Sequence, residues 1–186
     1  FLPWIERLGW SARLDMAMLE NSIKHLNQHP KALALSLSGQ TLKDAESQAS
    51  LLQILRNNPR KDGLLTLELD ERHLPPAAQL EQLSQSVRAA GYRLGLQHFG
   101  GNFSLIGNLT NLGLAYLKID GSYIRAIDQE ADKRAFIEAV FRATNSIDMP
   151  LIAEMVETQA ELDVLKDISI EGAMGRLIGS PAPWGA

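Results

Sequence analysis

The chain has 186 residues, 45% of them hydrophobic, which is enough for one sizeable core and predicts a single domain. Its formal net charge is −4 and its lysines and arginines are scattered, so we expect neither a nucleic-acid-binding face nor a basic membrane-binding surface. It contains no cysteine, which excludes disulfides and thiolate sites, and no apolar run reaches the ~18 residues that a membrane-spanning helix needs.

Hydrophobic spacing predicts helices that alternate with short apolar strands along the chain. The first helix covers residues 11–28, with Ser11 as its expected N-cap. Further helices are predicted at 43–57, 76–90, 130–146 and Thr158–Lys166. Strands are predicted at Ala32–Ser38, Leu64–Leu69, Tyr92–His98, Ala115–Ile119, Pro150–Glu154 and Ile170–Met174.

This strand–helix alternation implies a parallel sheet with right-handed crossovers, either an open doubly wound sheet or most of a (β/α)₈ barrel. Polar residues stand near the C-terminal end of nearly every strand: Ser36, Ser38, Glu68, Asp70, Gln97, His98, Lys118, Asp120 and Glu154. A barrel collects residues from many strand ends, whereas an open sheet concentrates its site at one switch point. We therefore predict an α/β fold of the TIM-like barrel type, although the chain is shorter than the ~250 residues usual for that fold.

Three charged residues, Glu68, Lys118 and Glu154, are expected to meet over the mouth of this barrel. Buried charges persist only when they are paired or ligated. The residues alone leave two interpretations open, a structural ion pair or a polar binding site.

An ordered series of motifs resembles the EAL domain family, the cyclic-di-GMP phosphodiesterases. Residues 1–9 are similar to the family's FIPxAExxG segment, Leu35–Ser38 stands at its NLS motif, and Glu68–Glu71 stands at EITE. The later motifs follow in order: Gln97–Asn102 at DDFGTG, Leu117–Asp120 identical to LKID, Ala153–Thr158 at AEGVET, and Met174-Gly175-Arg176 at QGY ahead of Pro181. The resemblance implies a barrel of the EAL type over residues 1–186, with the first strand and its EAL motif lying before Phe1.

The departures from the family motifs fall on its metal ligands. The resemblance implies that hydrolysis uses Mg²⁺ or Mn²⁺ held by hard oxygen ligands, and two such metals would activate a water for attack on phosphorus. Here Ser36 replaces an asparagine, and Gln97 and His98 replace an acidic pair. Glu68 and Glu154 remain, but we expect no catalytic metal, no catalytic residue and no phosphodiesterase activity.

Loss of the metal does not remove the means to bind a nucleotide. Met155 and Met174 stand where the family has Gly and Gln, and they could form an adaptable apolar floor for a purine, or could simply fill the core. Glu154 could accept a hydrogen bond from a guanine. The predicted cyclic-di-GMP contacts are Ser36, Glu68, Gln97, Lys118, Glu154, Met155, Met174, Gly175 and Pro181.

The loop after the third strand contains two glycines followed by Asn102 and Phe103. The resemblance places this loop near the contact between EAL domains, so Phe103 and Asn102 are the expected dimer contacts; the alternative is that Phe103 packs onto its own helix. The combination is similar to LapD-type receptor EAL domains. It implies a homodimerising receptor domain in the cytoplasmic part of a bacterial inner-membrane protein, joined to a linker helix and a degenerate GGDEF domain and controlling biofilm adhesion.

Two other functions remain as alternatives to the receptor. One is an active metal-dependent phosphodiesterase, which Ser36, Gln97 and His98 oppose. The other is a protein-interaction domain that binds no nucleotide, which the retained Glu68, Lys118 and Glu154 oppose unless they form a structural pair.

Overall fold

The computed structural model describes residues 2–180, without the side chains of Leu2, Phe103 and Ser104. Residues 2–180 contain six strands: β1 (Leu33–Ser36), β2 (Leu65–Asp70), β3 (Arg93–Phe99), β4 (Leu117–Ile119), β5 (Leu151–Ala153) and β6 (Gly172–Ala173). They follow one another in sequence order in one sheet, and β1 with β2, β4 with β5, and β5 with β6 pair in parallel. Every predicted strand is confirmed, although β1, β4, β5 and β6 are shorter than predicted.

The strands alternate with helices: α1 (Leu2–Arg7), α2 (Ser11–Gln28), α3 (Gly39–Lys43), α4 (Ala45–Asn57), α5 (Ala77–Ala89), α6 (Leu109–Leu112), α7 (Gly121–Ile124), α8 (Ala131–Asn145) and α9 (Gln159–Ile168). Short 3₁₀ helices cover Glu71–His73 and Phe103–Asn108. Among residues 2–180, no helix combines the length and the apolar character that crossing a bilayer requires.

Two details of the helix prediction were wrong. Trp10, not Ser11, is the N-cap of α2, and its side chain makes no capping hydrogen bond. The helix predicted over 43–57 is interrupted at Asp44, where the backbone is extended and the carboxylate accepts the Ser47 N–H at 2.8 Å. Asp44 thus begins a new helix instead of continuing one, because its side chain satisfies an amide that has no partner within the helix.

Contacts divide the chain into two compact units. The first unit comprises Phe1–Leu96 and Asn108–Ala115, and the second comprises Gln97–Gly107 and Tyr116–Ala186. In the first unit every residue of β2 is buried, which is typical of a parallel strand covered on both faces. In the second unit the buried side chains include Leu117, Ile119, Ile137, Val140 and Leu151.

Candidate functional site

A histidine lies between two carboxylates at the ends of the strands of the second unit. The Nδ1 atom of His98 is 3.1 Å from Oε2 of Glu154 and 3.4 Å from Oδ2 of Asp120. Carboxylate oxygens accept hydrogen bonds and ionised carboxylates do not donate them, so Nδ1 carries the hydrogen in these contacts. We call these three residues the His98 triad.

The backbone of His98 contributes to this arrangement. Its φ is +56°, a left-handed conformation that is uncommon for a residue other than glycine. Its amide nitrogen lies 3.4 Å from Oε2 of Glu154, so the amide and the imidazole both approach the same carboxylate oxygen. Because Glu154 is only 6% exposed, these donors help to hold a carboxylate away from water.

Asp120 serves two neighbours at once. Its Oδ1 accepts the Ser122 N–H at 2.8 Å and caps α7, while its Oδ2 faces His98. Its backbone N–H donates to the carbonyl of Phe99 at 3.0 Å, which ties the end of β4 to β3. The position of the triad is therefore coupled to the start of α7.

The donor set of the second unit does not fit the divalent-metal centre that the family resemblance implies. Mg²⁺ and Mn²⁺ prefer carboxylate, carbonyl and water oxygens, whereas here an N–H group faces both carboxylates. Across the described residues, no group of three or more histidine, aspartate and glutamate side chains has a geometry that could hold a metal ion.

Two further predicted residues of this unit are buried polar groups. Lys118 is buried in β4, and its ammonium lies 5.8 Å from the centre of the Tyr116 ring, within the range of a cation–π interaction. Gln97 is buried in β3, next to His98. Tyr116 immediately precedes β4 and lies two residues before Lys118 along the chain.

The two methionines at this end of the second unit are exposed. Met155 is 51% and Met174 is 43% exposed, so neither is a core filler. The Val156 N–H donates to the carbonyl of Met174 at 3.0 Å, which places the segments after β5 and β6 side by side. Gly175 packs closely there, since a Cβ on it would lie 2.3 Å from the Val156 nitrogen.

In the first unit, Ser36 and Glu68 are paired neighbours on β1 and β2. The Ser36 hydroxyl donates to Oε2 of Glu68 at 3.3 Å, and Glu68 is buried. Asp70, at the end of β2, caps the following 3₁₀ helix and forms an ion pair with Arg72. These two carboxylates therefore make different contacts, one with a hydroxyl and the other with an arginine.

Sequence reasoning missed Asp15, a buried carboxylate on α2. Its Oδ2 accepts hydrogen bonds from the Ser38 amide at 2.8 Å, the Ser38 hydroxyl at 2.7 Å and the Thr41 hydroxyl at 2.6 Å. These bonds hold the segment that follows β1 and carries the N-cap of α3. The available signal was an aspartate four residues before Leu19 on the buried face of the helix.

Glu161 was also missed, although the spacing of Thr158 and Glu161 is that of a capping box. Its carboxylate accepts the backbone N–H groups of Ala126, Glu157 and Thr158 at 3.0, 2.9 and 3.1 Å. Burial is the largest influence on its pKa and raises it. The hydrogen bonds together outweigh burial, so the pKa of Glu161 lies below its ordinary value.

Two predicted contacts, Pro181 and Phe103, fall wholly or partly outside the described residues. Pro181 lies beyond them, and for Phe103 only the backbone, which begins a 3₁₀ helix, is described. Asn102 is exposed, and its carbonyl accepts the Leu105 N–H at 3.1 Å.

The model of the EAL domain family matches residues 1–181. The chain belongs to the EAL domain family. Among relatives, the probable cyclic di-GMP phosphodiesterase PdeA of Escherichia coli K12 is 24% identical over 189 residues, covering 98% of this chain and 26% of PdeA. The chain thus spans about a quarter of the length of this curated relative.

Solved structures of EAL domains share the fold. The S helix–GGDEF–EAL structure of Vibrio cholerae LapD bound to c-di-GMP matches with a TM-score of 0.84 and 24% identity, covering 96% of this chain and 44% of the solved chain. The FimX EAL domain of Pseudomonas aeruginosa bound to c-di-GMP matches with a TM-score of 0.80 and 22% identity, covering 98% and 75%. The predicted α/β fold, a TIM-like barrel of the EAL type, is confirmed.

Proposed function

We propose that this EAL domain is a receptor that binds cyclic-di-GMP without hydrolysing it. The observation that carries the proposal is the position of His98, whose Nδ1 lies 3.1 and 3.4 Å from two strand-end carboxylates. An imidazole N–H compensates part of their charge at the place where metal-dependent members would need a cation.

This arrangement opposes hydrolysis for a chemical reason. A metal-dependent phosphodiesterase needs its ions to lower the pKa of the attacking water and to neutralise charge that develops on the phosphate. The N–H group of His98, which already faces two carboxylates, performs neither of these functions. By the family resemblance, Gln97 replaces an acidic ligand with a neutral amide, which reduces the attraction for divalent ions further, and Ser36 replaces an amide ligand with a hydroxyl.

The remaining groups suit a purine dinucleotide. Exposed Met155 and Met174, with Gly175 beside them, offer a polarisable apolar surface for a base. The Glu154 carboxylate can accept hydrogen bonds from a guanine edge, and Lys118 can neutralise a phosphate. Ser36, Glu68, Gln97 and Pro181 complete the proposed set of ligand contacts.

The proposed context is that of a signalling protein. Family likeness supports a homodimer that uses Asn102 and Phe103, an adjacent degenerate GGDEF domain with its linker helix, and a place in the cytoplasmic part of a bacterial inner-membrane protein that controls biofilm adhesion. In this proposal, nucleotide binding changes the dimer and so passes the signal on.

Calorimetry and a hydrolysis assay on the full-length protein test the proposal. We expect binding of cyclic-di-GMP and no linear dinucleotide product with Mg²⁺ or Mn²⁺. Glu154→Ala should weaken binding by about ten- to a hundredfold, since a hydrogen bond to a charged group contributes roughly 1.5–3 kcal/mol. Glu138→Ala, which removes one member of a surface pair with Arg134, is the control and should bind like the wild type.

An active phosphodiesterase is the second candidate, and the relative PdeA is named as a probable phosphodiesterase. Metal-dependent turnover would overturn the receptor in favour of this candidate. A protein that neither binds nor hydrolyses the nucleotide would instead be an interaction domain, and the role proposed for Glu154 would be lost with it.

A further inference from the structure

A tyrosine hydroxyl forms a hydrogen bond with the loop between β3 and the following 3₁₀ helix. The hydroxyl of Tyr123, on α7, donates to the carbonyl of Gly100 at 2.9 Å. Gly100 and Gly101 are adjacent, and glycine has more backbone freedom than any other residue type, so a hydrogen bond to this segment restricts a flexible sequence. The Tyr123 hydroxyl therefore restricts the backbone of the two-glycine segment.

The ring of Tyr123 fits the loop as closely as its hydroxyl does. Gly100 has a φ of +153°, and a Cβ on it would lie 2.2 Å from Cε2 of Tyr123, so only glycine permits this approach. The same ring stacks on Phe136 of α8, with centroids 4.4 Å apart and planes inclined by 14°. The Tyr123 ring thus packs against both the loop backbone at Gly100 and Phe136 of α8.

Helix α7, which carries Tyr123, is connected directly to the His98 triad. Asp120 caps α7 through the Ser122 amide and faces His98 with its other carboxylate oxygen. The Tyr123 amide also donates to the carbonyl of Asp120 at 3.1 Å. A displacement of Asp120 would therefore also move the Tyr123 ring, which packs against Gly100.

We propose that Tyr123 is a positioning residue that fixes the Gly100–Asn102 loop relative to the His98 triad. The loop carries Asn102 and leads into Phe103, and the part of this inference that concerns ligand and dimer rests on the proposed receptor function. Tyr123 contacts the backbone of Gly100, so in this proposal it acts through the loop.

Hydrogen exchange of the ligand-free protein tests the assignment without assuming that any nucleotide binds. Tyr123→Phe removes the hydroxyl and keeps the stacked ring. Loss of a hydrogen bond of about 1 kcal/mol should raise exchange across residues 100–107 about fivefold, including at the Leu105 amide that donates to Asn102. Unchanged protection of this segment would overturn the assignment.

The chain contains a matched control. Tyr92, in the first unit, also donates its hydroxyl to a backbone carbonyl, that of Asn58. Tyr92→Phe removes the same kind of bond, and exchange across residues 100–107 should stay at the wild-type rate. An equal rise in both variants would mean a general loss of stability and would also overturn the assignment.

Calorimetry with cyclic-di-GMP then tests the link to function. Tyr123→Phe should bind about fivefold more weakly than the wild type, and Tyr92→Phe should bind equally well, because only the former loosens the loop. Equal affinity of Tyr123→Phe and wild type, together with faster loop exchange, would overturn the link to ligand. A wild type that does not bind would overturn the proposed function, while the exchange result alone would still decide the role of Tyr123.

Discussion

Glu161 offers a sharp test of how the second unit is held together. The side chain is 4% exposed on α9, where it joins the turn at Ala126 to the first residues of the helix. Oε1 accepts one backbone N–H and Oε2 accepts two, at 2.9–3.1 Å. Glu161→Gln keeps the shape of the side chain and changes only its charge and one acceptor.

The expected cost of this change follows from the geometry. If the amide oxygen of Gln faces Glu157 and Thr158, its NH₂ group faces the Ala126 N–H, which is also a donor. One charge-assisted bond is lost, a buried amide loses its acceptor, and the other two bonds become neutral. Bonds to charged groups contribute roughly 1.5–3 kcal/mol, so we expect the free energy of unfolding to fall by about 2–4 kcal/mol at neutral pH.

The pH dependence gives an independent readout by equilibrium urea unfolding. The pKa of Glu161 is lowered in the folded state, so its stabilisation is fully present above the ordinary glutamate pKa near 4.5 and is lost as the pH falls through the lowered value. The difference between wild type and Glu161→Gln should therefore be largest at about pH 7 and should shrink toward about pH 3.

The control is Glu138→Gln on α8. Its exposed i,i+4 pair with Arg134 should contribute less than about 1 kcal/mol. A Glu161→Gln protein as stable as the wild type at pH 7 would refute the reasoning, as would a difference that stays constant as the pH falls.

Two further predictions concern the first unit and the candidate site. Asp15→Ala should lower the free energy of unfolding by about 2–4 kcal/mol in urea titrations, because it leaves three donors on Ser38 and Thr41 without their acceptor; Asp15→Asn, which keeps an acceptor, should cost less. Gly121→Ala should cost about 1–3 kcal/mol, since its Cβ would lie 2.6 Å from the Met155 Cβ. Combining it with Met155→Gly should recover most of that loss in a double-mutant cycle, and simple additivity would show that the two residues are not in contact.

The sequence was sufficient to predict most elements and the family. The helix predicted over 11–28 is α2 with the same bounds, and the one predicted over 76–90 differs by one residue at each end. Hydrophobic residues recur at helical spacing in both segments, and this signal can be recognised from neighbouring residues alone. The interruption at Asp44 was not predicted because it depends on whether one carboxylate caps a helix or continues it, and both use the same residues.

The contacts of the candidate site join residues that are far apart in the sequence. The sequence alone determined which residue types stand at the strand ends, including the replacement of an acidic pair by Gln97 and His98. Only the tertiary structure decided that His98 lies between Asp120 and Glu154, and that Asp15 holds the segment after β1. His98 and Glu154 are 56 residues apart along the chain. Their approach depends on strand pairing and on the left-handed backbone at His98, and neither is set by neighbouring residues.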